Sequence, residues 1–464
     1  MSSPRISPAR VRVLNPCGPV PGNYVLYWMQ QSQRAAGNHA LEYAIDLANE
    51  IGQPAIVGFG LMDDYPEANL RHYTFMLEGL RETSHALAAR GIAFVLQHGP
   101  PARVALELAQ RASAVVCDRG YLRHQKAWRR EVADAARCRV VQVESDVIVP
   151  VEVASQKAEF AARTLRPRIQ RHFEEHLVPL DSAMVQQRAD RLKLPASLDL
   201  RYIDTLARTL KLDRSVPPVT RFFQGGTAAA EALFRGFLAD RLATYAEHRN
   251  QPQTDDVSHM SKYLHFGQIS PTWLALEARK HSAAAGENVA TFIEELLVRR
   301  ELSMNFVQFR DDYDRYEGLP AWARQTLAEH RRDPRPYLYS REQLEGAETH
   351  DPYWNAAMRE MRDTGYMHNH MRMYWGKKIL EWTATPEEAF ATALAINNRF
   401  FLDGRDANSF ANIAWVFGQH DRPWGERPIF GKVRYMNARG LQRKCDIKAY
   451  VAKVDRLSSS LHQA

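Results

Sequence analysis

A chain of 464 residues is too long for one ordinary hydrophobic core, so two domains are expected. With 45% hydrophobic and 25% charged residues the composition is that of a globular protein, and no apolar run approaches the length a helix needs to span a bilayer. A net charge of +7 and a pI near 9.1 fit either a merely basic surface or a polyanion partner such as nucleic acid, and charge alone favours the former.

In chain order, residues 1–22 scatter Arg, Ser and Pro without an apolar segment, so they predict a flexible arm rather than a secretory signal. Cys17, Cys117, Cys138 and Cys445 lie far apart with no CxxC pair. Neither a disulfide framework nor a zinc site follows, and a reducing cytoplasm is the expected compartment. Short β-rich runs then recur: YVLYWM (24–29), PAIVGFGLM (54–62), IAFVLQHG (92–99), SAVVCD (113–118) and RVVQVES (139–145). Helical segments alternate with them at 38–52, 69–91, 101–113 and 122–138. That alternation predicts a doubly wound, Rossmann-like α/β domain with a parallel sheet over 23–180. It lacks both GxGxxG after the first strand and GxxxxGK[ST], so it shows no nucleotide fingerprint of its own. Residues 181–216 read as a linker, and 217–464 as a mostly α-helical second domain.

Several stretches of the second domain carry chemistry-bearing side chains. MHNHMRMYWGKKILEW (367–382) reads as a helix on which Trp375 and Trp382, seven residues apart, share a face with Met371 and Lys378. A core stripe is the commoner meaning of such a pair. Trp354, upstream in THDPYWN, could fold back to make a chain of oxidisable rings, useful only beside an electron acceptor. In DDVSHMSKYLHFGQIS (255–270), Ser258 and Ser261 suit either a helix N-cap or a phosphate, and spacing favours the cap. FLDGRDANSF (401–410) sets Asp403 and Asp406 around Arg405, and Asp403 is a candidate partner for Arg372. Glu295 and Arg299 stand i,i+4, which by periodicity alone is a surface ion pair. From Arg422 to Lys448, eight Lys/Arg face two acids, with Trp424, Phe430 and Tyr435 interleaved. That mixture suits a nucleic-acid backbone with exposed bases, or a generic basic surface.

Taken together and in this order, these segments resemble the class II cyclobutane pyrimidine dimer photolyases of the photolyase/cryptochrome family. The resemblance is carried by VLYWMQQSQRAAGNHAL, EVASQKAEFAARTLRPRI, YLHFGQIS, VRRELSMNF, THDPYWNAAM, MRMYWGKKILEW, LDGRDANSFANIAW and HDRPWGERPIFGKVRYM, spanning about residues 24–450. It implies an N-terminal α/β domain and a C-terminal helical domain that holds FAD, active as FADH⁻. A second, antenna chromophore of deazaflavin or folate type on the α/β domain is left open.

By the same resemblance, Tyr245, Ser258, His259, Met260 and Ser261 face the pyrophosphate. Many family members have Thr-Ser-Arg-Leu-Ser where this chain has Val-Ser-His-Met-Ser, which puts the arginine's phosphate contact in question. Arg372 and Asp403 match an ion pair beside the flavin ring, with Arg405 next to them, and Asn408 matches the residue facing flavin N5. Trp375 begins an electron path through Trp354 to Trp382 at the surface, which would photoreduce resting FAD. Glu295 and Met373 face the lesion, together with Trp424, and Arg299 stands where many members stack a tryptophan. Arg422 and Arg427 fall on the DNA side. The implied activity is light-driven repair of pyrimidine dimers flipped out of UV-damaged DNA. The expected enzyme is a monomer needing no metal, membrane or obligatory protein partner. A cryptochrome-like signalling flavoprotein and a flavin-free nucleic-acid-binding protein are the alternatives.

Overall fold

The computed structural model describes residues 5–462. Strands β1 (Val11–Val13), β2 (Tyr24–Trp28), β3 (Ala55–Leu61), β4 (Ala93–His98), β5 (Ala112–Asp118) and β6 (Arg139–Val143) form one sheet in the order β1-β6-β5-β2-β3-β4. The last five are mutually parallel, and every residue of β2, β3 and β5 is buried, as continuous apolar runs covered on both faces require. Helices α1 (His39–Glu50) and α2 (Leu70–Ala89) cover one face, and α3 (Pro101–Ala109) and α4 (Arg123–Ala135) the other. Asn38 caps α1 by accepting the N–H groups of Ala40 and Leu41, and Pro101 occupies the first turn of α3, where its missing N–H costs nothing. The direction of strand order reverses between β2 and β5, which opens a crevice at their C-terminal ends.

The segment read as a flexible arm is tied down over residues 5–22, while residues 1–4 lie outside the described ones. Arg5 reaches Asp46 (2.7 and 3.1 Å) and Glu42, Ile6 is buried, and β1 pairs antiparallel with β6 in the register Val11↔Val143. A three-residue edge strand flanked by Pro and Gly is too short to leave a period in the sequence. The stretch read as a linker also lies against the first domain. Ala183 donates its N–H to Glu42, and Leu180, Val185 and Leu198 pack on the α1/α2 side of the sheet.

Beyond residue 143 the described residues hold no further strand, and helices follow to the C-terminus. The two units meet through buried arginines whose donors are met by backbone carbonyls. Arg71 of α2 reaches Phe400 O (2.7 Å), Pro217 O and Arg362 O, and Arg34 reaches Gly267 O (3.0 Å). Gly267 has φ +63°, and a Cβ there would stand 1.9 Å from Gln31 O, so only glycine lets YLHFG close on the sheet edge. Within the helical unit, Asn369–Trp382 is surrounded by Pro352–Thr364, Pro386–Phe400 and Ala407–Val416. Gly376 sits where a side chain would strike Val416, and its absence lets Asn369–Trp382 and Ala407–Val416 approach.

Candidate functional site

A cavity of about 670 Å³ opens in the helical unit, within the range of ligand sites. The first turns of Asn369–Trp382 supply Arg372, Met373 and Trp375; the loop before Ala407–Val416 supplies Asp403; and Ser258–Ser261 closes the opposite side. Tyr245, Glu295, Arg299 and Asn408 complete the set that the sequence placed here. Arg372 and Asp403 form a two-pronged ion pair at 2.9 and 3.0 Å, and the guanidinium lies 3.8 Å from the centre of the Phe401 ring. Burial alone would raise the Asp403 carboxyl, but Arg372, the Ser261 hydroxyl and Lys262 outweigh it and hold the group below its ordinary value. Neighbouring Asp406 goes the other way. Burial, and then the charge of Asp403, push it to about 6.

The serines do not cap. The short helix Ser261–His265 has Met260 at its N-cap with no side-chain hydrogen bond there, while Ser409 Oγ donates to Asp403 O at 2.9 Å and Asp406 caps the next helix by accepting from Ser409 N. His259 sits at φ +56°, a conformation uncommon for a non-glycine residue, with Nε2 3.0 Å from Asp255 and Nδ1 unpartnered. Trp375 Nε1 is also unpartnered. Two orphaned polar atoms on residues that line the cavity are what a polar ligand would satisfy.

Arg405 does not line this cavity. It lines a smaller one of about 110 Å³ between the C-terminal edge of the sheet and the helical unit, with its guanidinium 5.8 Å from the Tyr65 ring. Gln30 and Gln33 line the same space and leave amide atoms unpartnered. Asp406 borders both cavities.

The Glu295–Arg299 ion pair does not form. Residues Glu294–Arg299 make a π-helical turn, whose wider winding breaks the i,i+4 register. Glu295 instead meets Arg249 at 2.7 Å, and Arg299 leans on Glu294, which is itself held by Arg166 (2.7 and 3.0 Å). Arg249, Lys262, Asp421 and Arg434 escaped the sequence reading. Asp421 and Arg434 line the cavity and pair at 3.1 Å, and an acid inside a basic stretch was the signal for them. Arg249 is brought to Glu295 by folding alone. Lys262 is buried, with Nζ 3.6 Å from the Phe223 ring centre, and burial lowers it to about 7.

Of the aromatics interleaved with basic residues, Phe430 is core and Tyr435 half-buried, so only Trp424 is presented, at 38% exposure. Its indole N–H donates to Asp421, and Arg434 and Arg422 lie 4.2 and 4.8 Å from its ring. Trp424, Arg422 and Arg427 are outside the cavity lining, on the exposed segment that follows Asp421. Behind the cavity, Trp354 Nε1 donates to Trp375 O at 3.0 Å, and Trp354 and Trp382 meet edge to face at 5.7 Å. Trp382, expected at the surface, is 3% exposed, because Tyr339 and His350 lie over it.

The comparisons with known proteins agree with one another. The family model described as DNA photolyase matches residues 25–186. The deoxyribodipyrimidine photo-lyase of Methanothermobacter thermautotrophicus is 51% identical over 449 residues, 96% of this chain and 98% of that protein. Among solved structures, a class III photolyase from Agrobacterium tumefaciens superposes with a TM-score of 0.74 at 19% identity, over 94% of this chain and 87% of that one. An archaeal photolyase from Sulfolobus tokodaii, described with two FAD molecules, gives 0.68 at 14% identity, over 93% and 89%.

Proposed function

The chain belongs to the deoxyribodipyrimidine photo-lyase family, and from that premise we propose that it repairs pyrimidine dimers in UV-damaged DNA under blue light, with FAD held in the 670 Å³ cavity. The observation that carries the reading is the conjunction in one cavity of the Arg372–Asp403 pair, the orphaned Trp375 indole and a lining that includes Arg249, Arg299 and Arg434, the last lying 4.2 Å from the ring of the exposed Trp424. FAD, if held there in its reduced form, would provide the light-driven one-electron donor that such repair needs.

Everything else falls to the chain. Arg372 and Asp403 set a fixed charge pattern along one wall. The amide of Asn408 both donates and accepts, so it can partner a ring nitrogen in either protonation state. Met373 and Trp424 offer apolar contact to a flipped-out dimer. Glu295, oriented by Arg249, offers a carboxylate to its edge. Arg422 and Arg427 are exposed and suit phosphates. Trp375, Trp354 and Trp382 form a file of oxidisable rings that can refill the flavin with electrons.

The 110 Å³ cavity suits an antenna group, since Gln30, Gln33 and Arg405 converge on it with unpartnered polar atoms. At that volume it admits a single ring, so a deazaflavin or folate would require its lining side chains to move. A monomer suffices for this chemistry, because every residue named belongs to one chain. A cryptochrome-like signalling role has less support, the 51% identical relative being a photo-lyase.

The decisive experiment is repair of a defined thymine dimer under blue light with a dark control, on protein whose FAD content has been measured after denaturation. Light-independent repair, or folded protein unable to take up FAD, overturns the proposal. Lesion binding gives a second test. Stacking on an aromatic is worth about 1–3 kcal/mol per base, so Trp424→Ala is expected to weaken dimer binding by roughly tenfold to a hundredfold. Intact duplex, held mainly through phosphates, changes much less at fixed salt. Equal weakening of both duplexes would make Trp424 a backbone contact.

A further inference from the structure

Trp382 is buried, so an oxidised ring there does not meet solvent. Two rings separate it from water. Tyr339 lies edge to face with it at 5.6 Å, its backbone N–H donating to Trp382 O at 3.1 Å, and His350 lies at 5.2 Å. The Tyr339 hydroxyl is 2.7 Å from His350 Nδ1 and also accepts the backbone N–H of His350 at 3.0 Å. With its oxygen occupied as an acceptor, the phenol is set to donate its own proton to Nδ1, in the tautomer that carries hydrogen on Nε2. His350 is exposed, and Tyr337, 47% exposed, stacks on it at 3.6 Å and 18°.

We propose that Tyr339 and His350 form the outer end of the electron path, with His350 the base that takes the phenol proton when Tyr339 is oxidised. The proposal rests on the reading of Trp375, Trp354 and Trp382 as that path. The step balances. An electron leaves Tyr339 and fills the vacancy on the Trp382 radical cation, the phenol O–H bond breaks, and its proton passes to His350 Nδ1. The products are neutral Trp382, a neutral tyrosyl radical and an imidazolium open to solvent. A phenol radical cation is a strong acid, so without a base in contact the oxidation is uphill from tryptophan. With one, the return of the electron must wait for the return of the proton, and the separated charge outlives recombination.

The charged neighbours do not compete for that role. Lys378, 5.6 Å from the Trp382 ring, is paired with Glu381, and Asp351 accepts from Tyr353 N, Trp354 N and the Tyr374 hydroxyl. The phenol is therefore left to the imidazole.

The test is flash photolysis of the holoprotein with oxidised flavin, followed by transient absorption and EPR. In wild type the last radical is expected to be a neutral tyrosyl, formed severalfold more slowly in D2O. In Tyr339→Phe the signal stops at a tryptophan radical. His350→Gln, which can accept a hydrogen bond but not a proton, should lose the tyrosyl signal and lower the yield of reduced flavin severalfold. Independently of flavin, the 15N spectrum of His350 should report Nδ1 as a hydrogen-bond acceptor, and that signature should vanish in Tyr339→Phe. A tryptophan radical that forms normally but never yields tyrosyl overturns the proposal, and so does a tyrosyl radical indifferent to D2O and to His350→Gln. If no tryptophan radical forms at all, the electron path itself is wrong and this inference falls with it.

Discussion

Trp375→Phe is expected to abolish photoreduction of the oxidised flavin while leaving the fold intact. Trp375 is 1% exposed and lines the large cavity, with no hydrogen-bond partner for its indole nitrogen. Its backbone carbonyl receives the Trp354 indole N–H, which fixes the second ring against the residue that carries the first. Phenylalanine fills most of the same volume but is much harder to oxidise, so the file of rings loses its first member without leaving a large hole. Trp354→Phe and Trp382→Phe should slow the same process. The measurement is loss of oxidised-flavin absorbance under blue light with an external reductant. Repair begun from chemically reduced protein should continue in all three variants. Should it fail in a well-folded Trp375→Phe, the helix touches the lesion chemistry directly and the electron-path assignment is wrong.

Arg372→Ala should lose flavin or fail to fold. The substitution strands Asp403, a buried carboxylate that now receives two guanidinium hydrogen bonds, and breaking such a buried pair typically costs about 3–5 kcal/mol. It also removes the cation lying over Phe401. Because the folded protein holds the Asp403 carboxyl below its ordinary value, the pair's contribution is fully present above the unfolded value of about 4 and is lost as acid carries the pH down through the folded one. The pair's own part in flavin retention should therefore be level through neutral pH and fall only in acid. The flavin-to-protein ratio after gel filtration, with a thermal melt beside it, checks both statements. Wild-type retention in Arg372→Ala would show that the ion pair has no part in holding the cofactor.

Some of this was settled by residue order alone. Five continuous apolar runs, alternating with four helices of ordinary length, leave a parallel sheet little alternative, since only strands covered on both faces tolerate such runs. The Arg372–Asp403 pairing was legible too, because a cation in an apolar helix demands a carboxylate and one turn nearby offered it. Local patterns reach no further than that. Whether Glu295 meets Arg299 or Arg249 was decided by the π-helical turn and by a residue 46 positions upstream, which no period can signal. Ser258 and Ser261 had the spacing of caps, yet Met260 takes the N-cap of the five-residue helix, whose first residue, Ser261, serves Asp403 instead. Arg405 went to the smaller cavity because its left-handed backbone, φ +68°, turns it away from its neighbour Asp403. Trp382 was taken for a surface residue because its own helix says nothing of Tyr339 and His350, which arrive from another segment to cover it. Periodicity records which face of an element is apolar; which side chain lies opposite is a property of packing, and packing exists only once distant segments have met.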